Sequence, residues 1–150
     1  MNGIRNATPE DAARLAEIEI FNYRLFFYPI FRSDRYFFSE LTVAALEEEY
    51  RTEPERIKNT FVFDDGIVKG FVRVDGTRVE KLFTEPAFQG KGIGGMLLTH
   101  AVRETGASDL LVLEKNPRAI RFYERHGFRK TGARQRVDDT DEFFFIMKRT

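Results

Sequence analysis

The chain has 150 residues, enough for one domain with a substantial core, and a single domain over residues 1–150 is expected. Its 24 Lys and Arg balance 24 Asp and Glu, so no overall basic field draws it to nucleic acid or an anionic membrane. It has no cysteine, which excludes disulfides, thiolate metal sites and an acyl group carried on an enzyme thiol.

No signal-peptide core opens the chain, and the longest uncharged run, Gly92 to Val102, is shorter than the ~20 residues of a membrane span; a soluble cytoplasmic protein is expected. A short strand at Gly3 to Ala7 leads to Thr8, which reads as a helix N-cap, with Pro9 at the first helical position and Asp11 three residues on from the cap. That helix is expected to run into the twenties. Residues 21–38, FNYRLFFYPIFRSDRYFF, hold nine aromatics in eighteen positions, broken by Pro29 and followed by a second helix around Val43 to Arg51. From Thr60 the period falls to two. FVF, IVKGFVRV and TRVEKLFT read as an antiparallel meander with hairpin turns at Asp65-Gly66 and Asp75-Gly76. Ile93, Met96, Leu97 and Ala101 then carry helical spacing, and LLVLE at 110–114 reads as a buried strand, so a right-handed parallel crossover is expected. Asn116 and Pro117 open another helix, Gly127 sits at a left-handed cap position, and two last strands flank the acidic turn Asp138, Asp139, Asp141, Glu142. The fold class is therefore α/β with one mixed sheet: an antiparallel meander, a parallel strand-helix-strand unit and a C-terminal strand pair.

Residues 88–95, FQGKGIGG, spell G-x-G-x-x-G through Gly90, Gly92 and Gly95, and Q-x-x-G-x-G through Gln89, Gly92 and Gly94. The first pattern belongs to dinucleotide binders, and Glu114 ends the next strand about 20 residues on, where a ribose-binding acid sits. In that motif the strand runs almost directly into the first glycine, whereas here Glu85 to Gln89 intervene after a hairpin meander. A Walker loop is excluded because Gly92 follows Lys91. Successive N–H groups of Gly90 to Gly95 at a helix N-terminus can cradle a pyrophosphate; a flexible turn is the plainer reading but leaves Gln89, Lys91 and the apolar helix unexplained.

Two separated blocks carry a resemblance. LFTEPAFQGKGIGGMLL is similar to the strand, proline, Q-x-x-G-x-G loop and helix of the GNAT superfamily of acetyl-CoA-dependent N-acetyltransferases, and NPRAIRFYERHGF to its N-x-x-A-x-x-x-Y-x-x-x-G-F. The chain resembles that superfamily over nearly its whole length. The resemblance implies acetyl-CoA as cosubstrate, with its pyrophosphate on Gln89, Gly90, Lys91, Gly92, Ile93, Gly94 and Gly95. It implies backbone bonds from Leu82, Phe83 and Thr84 to a pantetheine arm that lies like an added strand between splayed strands 79–84 and 110–114. It also implies that Asn116 and Tyr123 address the cofactor and that Tyr123 protonates the coenzyme A thiolate.

Tyr123 lies seven residues after Asn116, two turns along one helix face, which suits that assignment. Read alone, Tyr123 is a core aromatic and Asn116 an N-cap. Without a cysteine, direct attack of a neutral amine in a ternary complex is the economical route. Glu80, alternating with Leu82 and Thr84 on one strand face, is the candidate base for an ammonium of pKa ~10, and an exposed strand glutamate is the competing reading. Glu114 stands in reserve. Some members of the family that modify protein N-termini carry a glutamate five residues before the motif asparagine, where this chain has Leu111, which counts against that subgroup. His100 and His126 have no companion ligands, so both read as structural and no metal is expected. Lys115, Arg118, Arg121 and Arg125 read as a solvated helix face or as phosphate contacts.

In the family the first two helices and their connection wall the acceptor pocket. Phe26, Phe27, Tyr28, Phe31 and Phe37 fall there, implying a small-molecule acceptor with apolar or aromatic bulk, such as an amino acid or an aryl or alkyl amine. A core patch or a homodimer face reads equally well. The acidic turn at 138–142 either attracts a cationic amine or is charged for solubility. Three further readings stay open: a protein or peptide N-acetyltransferase, a non-catalytic acetyl-CoA-binding module and a nucleotide-dependent oxidoreductase.

Overall fold

The computed structural model describes residues 3–149. They form a mixed seven-stranded sheet of order β1-β2-β3-β4-β5-β7-β6. Its strands are β1 Ile4–Asn6, β2 Thr60–Asp64, β3 Val68–Asp75, β4 Arg78–Thr84, β5 Asp109–Leu113, β6 Phe128–Arg136 and β7 Phe143–Arg149. Every neighbouring pair is antiparallel except β4 and β5. The expected meander, crossover and final strand pair are all present.

One face of the sheet is covered by α1, Ala12–Asn22, and α3, Val43–Thr52. The Thr8 N–H donates to Asp11 Oδ2 at 2.8 Å, fixing the chain's entry into the first turn as the cap pattern predicts. Leu15, Ile18 and Ile20 of α1 and Leu46 and Tyr50 of α3 are buried with Val62 and Phe71 of the sheet. Pro29 does not break the first helix. α1 passes into a π-helical turn, Tyr23–Phe27, and then into α2, Tyr28–Phe31, and Arg32 ends the run with a φ of 57°. The Tyr28 N–H bonds five residues back to Tyr23 O, and this wider turn gives the proline ring room that a tight α-turn denies it. A second π-helical turn, Tyr36–Glu40, and the short helix α4, Pro54–Lys58, follow from no periodicity in the sequence.

The opposite face is covered by α5, Ile93–Thr105, and α6, Pro117–Arg125. Ile93, Leu97, Leu98 and Ala101 are buried with Val72, Val74, Val79, Leu110, Val112 and Met147. Leu97 is fully buried, and truncating it to alanine should cost about 2–5 kcal/mol.

Two irregularities make room for a site. Arg73 pairs with Lys81 but Val74 pairs with Val79, so Glu80 is an extra residue on β4, a bulge of the kind that bends a strand. β4 and β5 then pair only at Arg78–Asp109 and Val79–Leu110, and beyond the bulge they part. No helix among the described residues is long and apolar enough to cross a membrane.

Candidate active site

Among the described residues no strand pairs with the outer edge of β4 past Val79. The Glu85 N–H bonds Lys69 O at 2.8 Å, so Glu85 and, two residues back, Phe83 turn their backbone groups to β3. Leu82 and Thr84 therefore turn theirs into the gap. On β5 the Glu114 N–H bonds Phe143 O at 2.9 Å, and the same alternation turns Leu111 and Leu113 toward the gap. Two strand edges thus offer backbone donors and acceptors across one slot, which an extended amide-bearing chain can fill as an added strand. Phe83 offers no backbone there; its ring packs on Tyr23, Phe27 and Phe71. Thr84 O is also taken, by Asn22 Nδ2 at 2.9 Å and Gln89 Nε2 at 3.2 Å. The Leu82 N–H and C=O and the Thr84 N–H remain for a ligand.

β4 leads through a turn at Pro86–Phe88 into the glycine loop. Gly90 and Gly92 have φ of 81° and 84°, left-handed values that cost an L side chain roughly 1–2 kcal/mol. The first internal bond of α5 runs from the Met96 N–H to Gly92 O at 3.1 Å, leaving the N–H groups of Ile93, Gly94 and Gly95 without helical partners. No acidic side chain stands in that first turn, so the positive end of the helix is open to an anion, and a pyrophosphate fits it. Gly95 has a separate role. A Cβ there would lie 2.9 Å from His126 Nε2, so the glycine seats a ring whose Nδ1–H donates to Phe122 O at 2.8 Å. Lys91 is exposed and lies outside the cleft lining.

Slot and loop open on a cleft of about 850 Å³. α6 contributes Phe122 and Tyr123 to its walls, and its two cap residues add Asn116 and His126. Asn116 is the α6 N-cap, its Oδ1 accepting from the Ala119 N–H at 3.2 Å, and it borders the cleft as well. The half-buried Tyr123 ring packs on Phe122 and Phe128. Its hydroxyl has no hydrogen-bond partner among the described residues, and burial pushes its pKa up to about 12, so it stays protonated at any working pH.

The aromatic segment divides. Asn22, Phe26 and Phe27 line the cleft, and the Arg118 guanidinium sits 5.8 Å over the Phe26 ring. Tyr28 and Phe31 do not line it, because the widened turn directs them to the second π-helical turn. The Tyr28 hydroxyl donates to Asp34 while its ring meets Phe37 and Phe38, and Phe31 stacks on Phe37.

Glu80 also lies outside the cleft lining. As the bulge residue it leaves the expected alternation, and its Oε1 accepts from Arg73 Nε at 2.7 Å. Arg73, 3% exposed, also donates to the Tyr50 hydroxyl, which with the Tyr23 hydroxyl donates to buried Glu19. Glu114 pairs with Arg134 at 2.7 Å, and in the acidic turn Glu142 pairs with Lys115 at 3.1 Å. Among the described residues no carboxylate lines the cleft. His100 and His126, read from the sequence as structural, both do, along with Arg103, Arg118 and Arg125. Sequence reasoning missed Asn22, whose one signal is its place a helical turn before Phe26.

Comparison with known proteins bears on the family and the fold. A family model described as an acetyltransferase (GNAT) domain matches residues 56–130. A peptidyl-lysine N-acetyltransferase, YjaB of Salmonella typhimurium, is 35% identical over 103 residues, covering 63% of this chain and 70% of its own. Among solved structures, an N-acetyltransferase from Staphylococcus aureus Mu50 superposes with a TM-score of 0.79 at 17% identity, covering 97% of this chain and 98% of its own. The PaiA N-acetyltransferase from Thermoplasma acidophilum, in complex with coenzyme A, superposes with a TM-score of 0.70 at 23% identity, covering 98% and 97%.

Proposed function

Because the chain belongs to the family of acetyltransferase (GNAT) domains, we propose that it moves the acetyl group of acetyl-CoA to the ε-amine of a lysine presented on a peptide, by direct attack in a ternary complex. Acetyl-CoA is the cosubstrate. The observation that carries the reading is the slot between β4 and β5, closed at Val79–Leu110 and met at its other end by the open terminus of α5. The amides of the pantetheine arm pair with Leu82 and Thr84, and the pyrophosphate takes the N–H groups of Ile93, Gly94 and Gly95.

The amine nitrogen adds to the thioester carbonyl carbon, the C–S bond breaks, and the proton lost by the amine balances the one gained by the thiolate. The Tyr123 hydroxyl donates a hydrogen bond to the leaving sulfur. Burial holds its pKa up at about 12, so it steadies the thiolate by a hydrogen bond more readily than it surrenders its own proton. With no carboxylate among the described residues of the cleft wall, the ammonium loses its proton to solvent before attack.

The lysine acceptor rests on the similarity to the Salmonella peptidyl-lysine N-acetyltransferase and on Phe26 and Phe27, which give the cleft an apolar wall suited to an aliphatic stem. A free aryl or alkyl amine is the second reading, favoured by the same aromatic wall. Free-thiol release from acetyl-CoA, measured over lysine peptides, free amino acids and small amines, separates them. The peptide should be the best acceptor. Turnover with small amines alone would overturn the peptide reading, and acetyl-CoA binding with no turnover on any amine would leave a non-catalytic module.

A further inference from the structure

We infer that Asn22 is a positioning residue that latches the acceptor wall to the cofactor loop, so that loading the loop sets the wall. The inference rests on the proposed coenzyme A site. Asn22 is 3% exposed and is the last residue of α1 before the π-helical turn that carries Phe26 and Phe27. Its Nδ2 donates to Ile18 O and to Thr84 O, both at 2.9 Å, and its Oδ1 accepts from Gln89 Nε2 at 3.2 Å. Gln89 Nε2 also reaches Thr84 O at 3.2 Å. The amide orientation is unambiguous, because its nitrogen meets two carbonyl oxygens.

Three bonds therefore join the end of α1, the end of β4 and the first residue of the Q-x-x-G-x-G loop, and a fourth ties Asn22 back into α1. Thr84 O is spent on this junction, although the Thr84 N–H faces the slot. Gln89 leads directly into Gly90, and Asn22 into the wall. A ligand that orders Gly90 to Gly95 must hold Gln89, and Gln89 holds Asn22. In turn, an acceptor that fixes the wall favours the loaded loop, since coupling between two sites is reciprocal. A buried asparagine that only satisfied its own polar atoms would stabilise the fold without carrying this signal.

Hydrogen exchange separates the two roles without knowledge of the acceptor. Coenzyme A is added to the wild type, to Gln89→Met, which keeps the side chain's length but has no donor, and to Asn22→Ser; melting curves confirm that each protein is folded. In the wild type, coenzyme A should slow exchange both in the loop, 90–95, and in the wall, 23–31. In each variant that folds, the wall should lose most of the protection coenzyme A gives it in the wild type, and in Asn22→Ser, whose substitution lies outside the loop, the loop should keep its own. Wall protection that persists in Gln89→Met would show that the ligand reaches the wall by direct contact and would overturn the latch. A wild-type loop protected without the wall overturns the latch and spares the coenzyme A site, whereas a loop that gains no protection removes both.

Discussion

Alanine at Gly94 and alanine at Gly95 should change stability in opposite directions, although the two glycines are neighbours in the first turn of one helix. At either position the substitution removes conformational freedom from the unfolded chain and gains helix propensity, together up to about 1 kcal/mol. At Gly94 nothing opposes the gain. The new Cβ would lie 3.5 Å from the Phe122 ring and 3.7 Å from Thr84 Oγ1, ordinary contact distances. At Gly95 it would lie 2.9 Å from His126 Nε2 and 3.6 Å from Cε1. The imidazole must give way, and it is held by its bond to Phe122 O at 2.8 Å and by ring contact with Phe122 at 4.4 Å between centroids. Losing a hydrogen bond of about 0.5–1.5 kcal/mol and a ring pair of about 0.5–1.5 kcal/mol outweighs the gain, leaving Gly95→Ala destabilised by roughly 0–2 kcal/mol.

In a chain of this size each kcal/mol is worth about 2–4 °C in Tm, so thermal unfolding without ligand resolves the difference. Gly94→Ala should melt up to about 4 °C higher than the wild type, and Gly95→Ala up to about 8 °C lower. The double mutant Gly95→Ala, His126→Ala supplies the control. With the ring removed, alanine at 95 should stabilise the His126→Ala background as alanine at 94 stabilises the wild type. Equal shifts from both single alanines, or a Gly95→Ala penalty that survives loss of the imidazole, would refute the assignment of Gly95 as the seat of His126.

Three further outcomes follow from the site. Tyr123→Phe should lower kcat roughly 10²-fold, the low end for a positioned donor, with little change in acetyl-CoA affinity by calorimetry; equal turnover would make Tyr123 a packing residue. Glu80→Gln should leave turnover unchanged, because the carboxylate serves Arg73, and a large fall in kcat would return Glu80 to the role of base. In the pH profile, kcat/KM should rise about tenfold per unit toward the pKa of the free acceptor amine, ~10 for lysine, since only the neutral amine attacks. Tyr123, with its pKa raised to about 12 by burial, should add no falling limb below that pH. A plateau reached well below that pH would reveal a base in the cleft and refute loss of the proton to solvent.

The parts of this site that a sequence spells locally were legible. Left-handed turns call for glycine at 90 and 92, an N-cap calls for Asn116, and a two-turn spacing carries Tyr123 to the same helix face, each within a short window. The wall and the base were not, because each depends on a backbone irregularity that no short-range pattern announces. A π-helical turn is invisible to a 3.6-residue period. A 3.6-residue period therefore groups Tyr28 and Phe31 with Phe26 and Phe27, whereas the structure sends them elsewhere. Asn22 escaped for a different reason, since its partners Thr84 and Gln89 lie more than sixty residues away.

Glu80 shows why the failure and the function share one cause. A period of two holds along β4 only while the ladder with β3 keeps step, and the bulge inserts one residue where β4 stops pairing with β5. An unbulged β4 would keep Glu80 in phase with Leu82 and Thr84, as the sequence reading supposed. It would also lack the bend that accompanies the parting from β5, and a β5 paired along its full length would close the slot. The extra residue instead gives Glu80 to Arg73, whose guanidinium is buried and needs a carboxylate. The same step out of register leaves the Leu82 and Thr84 backbone groups facing a gap. Local alternation thus fails at the residue where the sheet opens to admit a ligand, as expected when a functional opening is built by breaking a regular element.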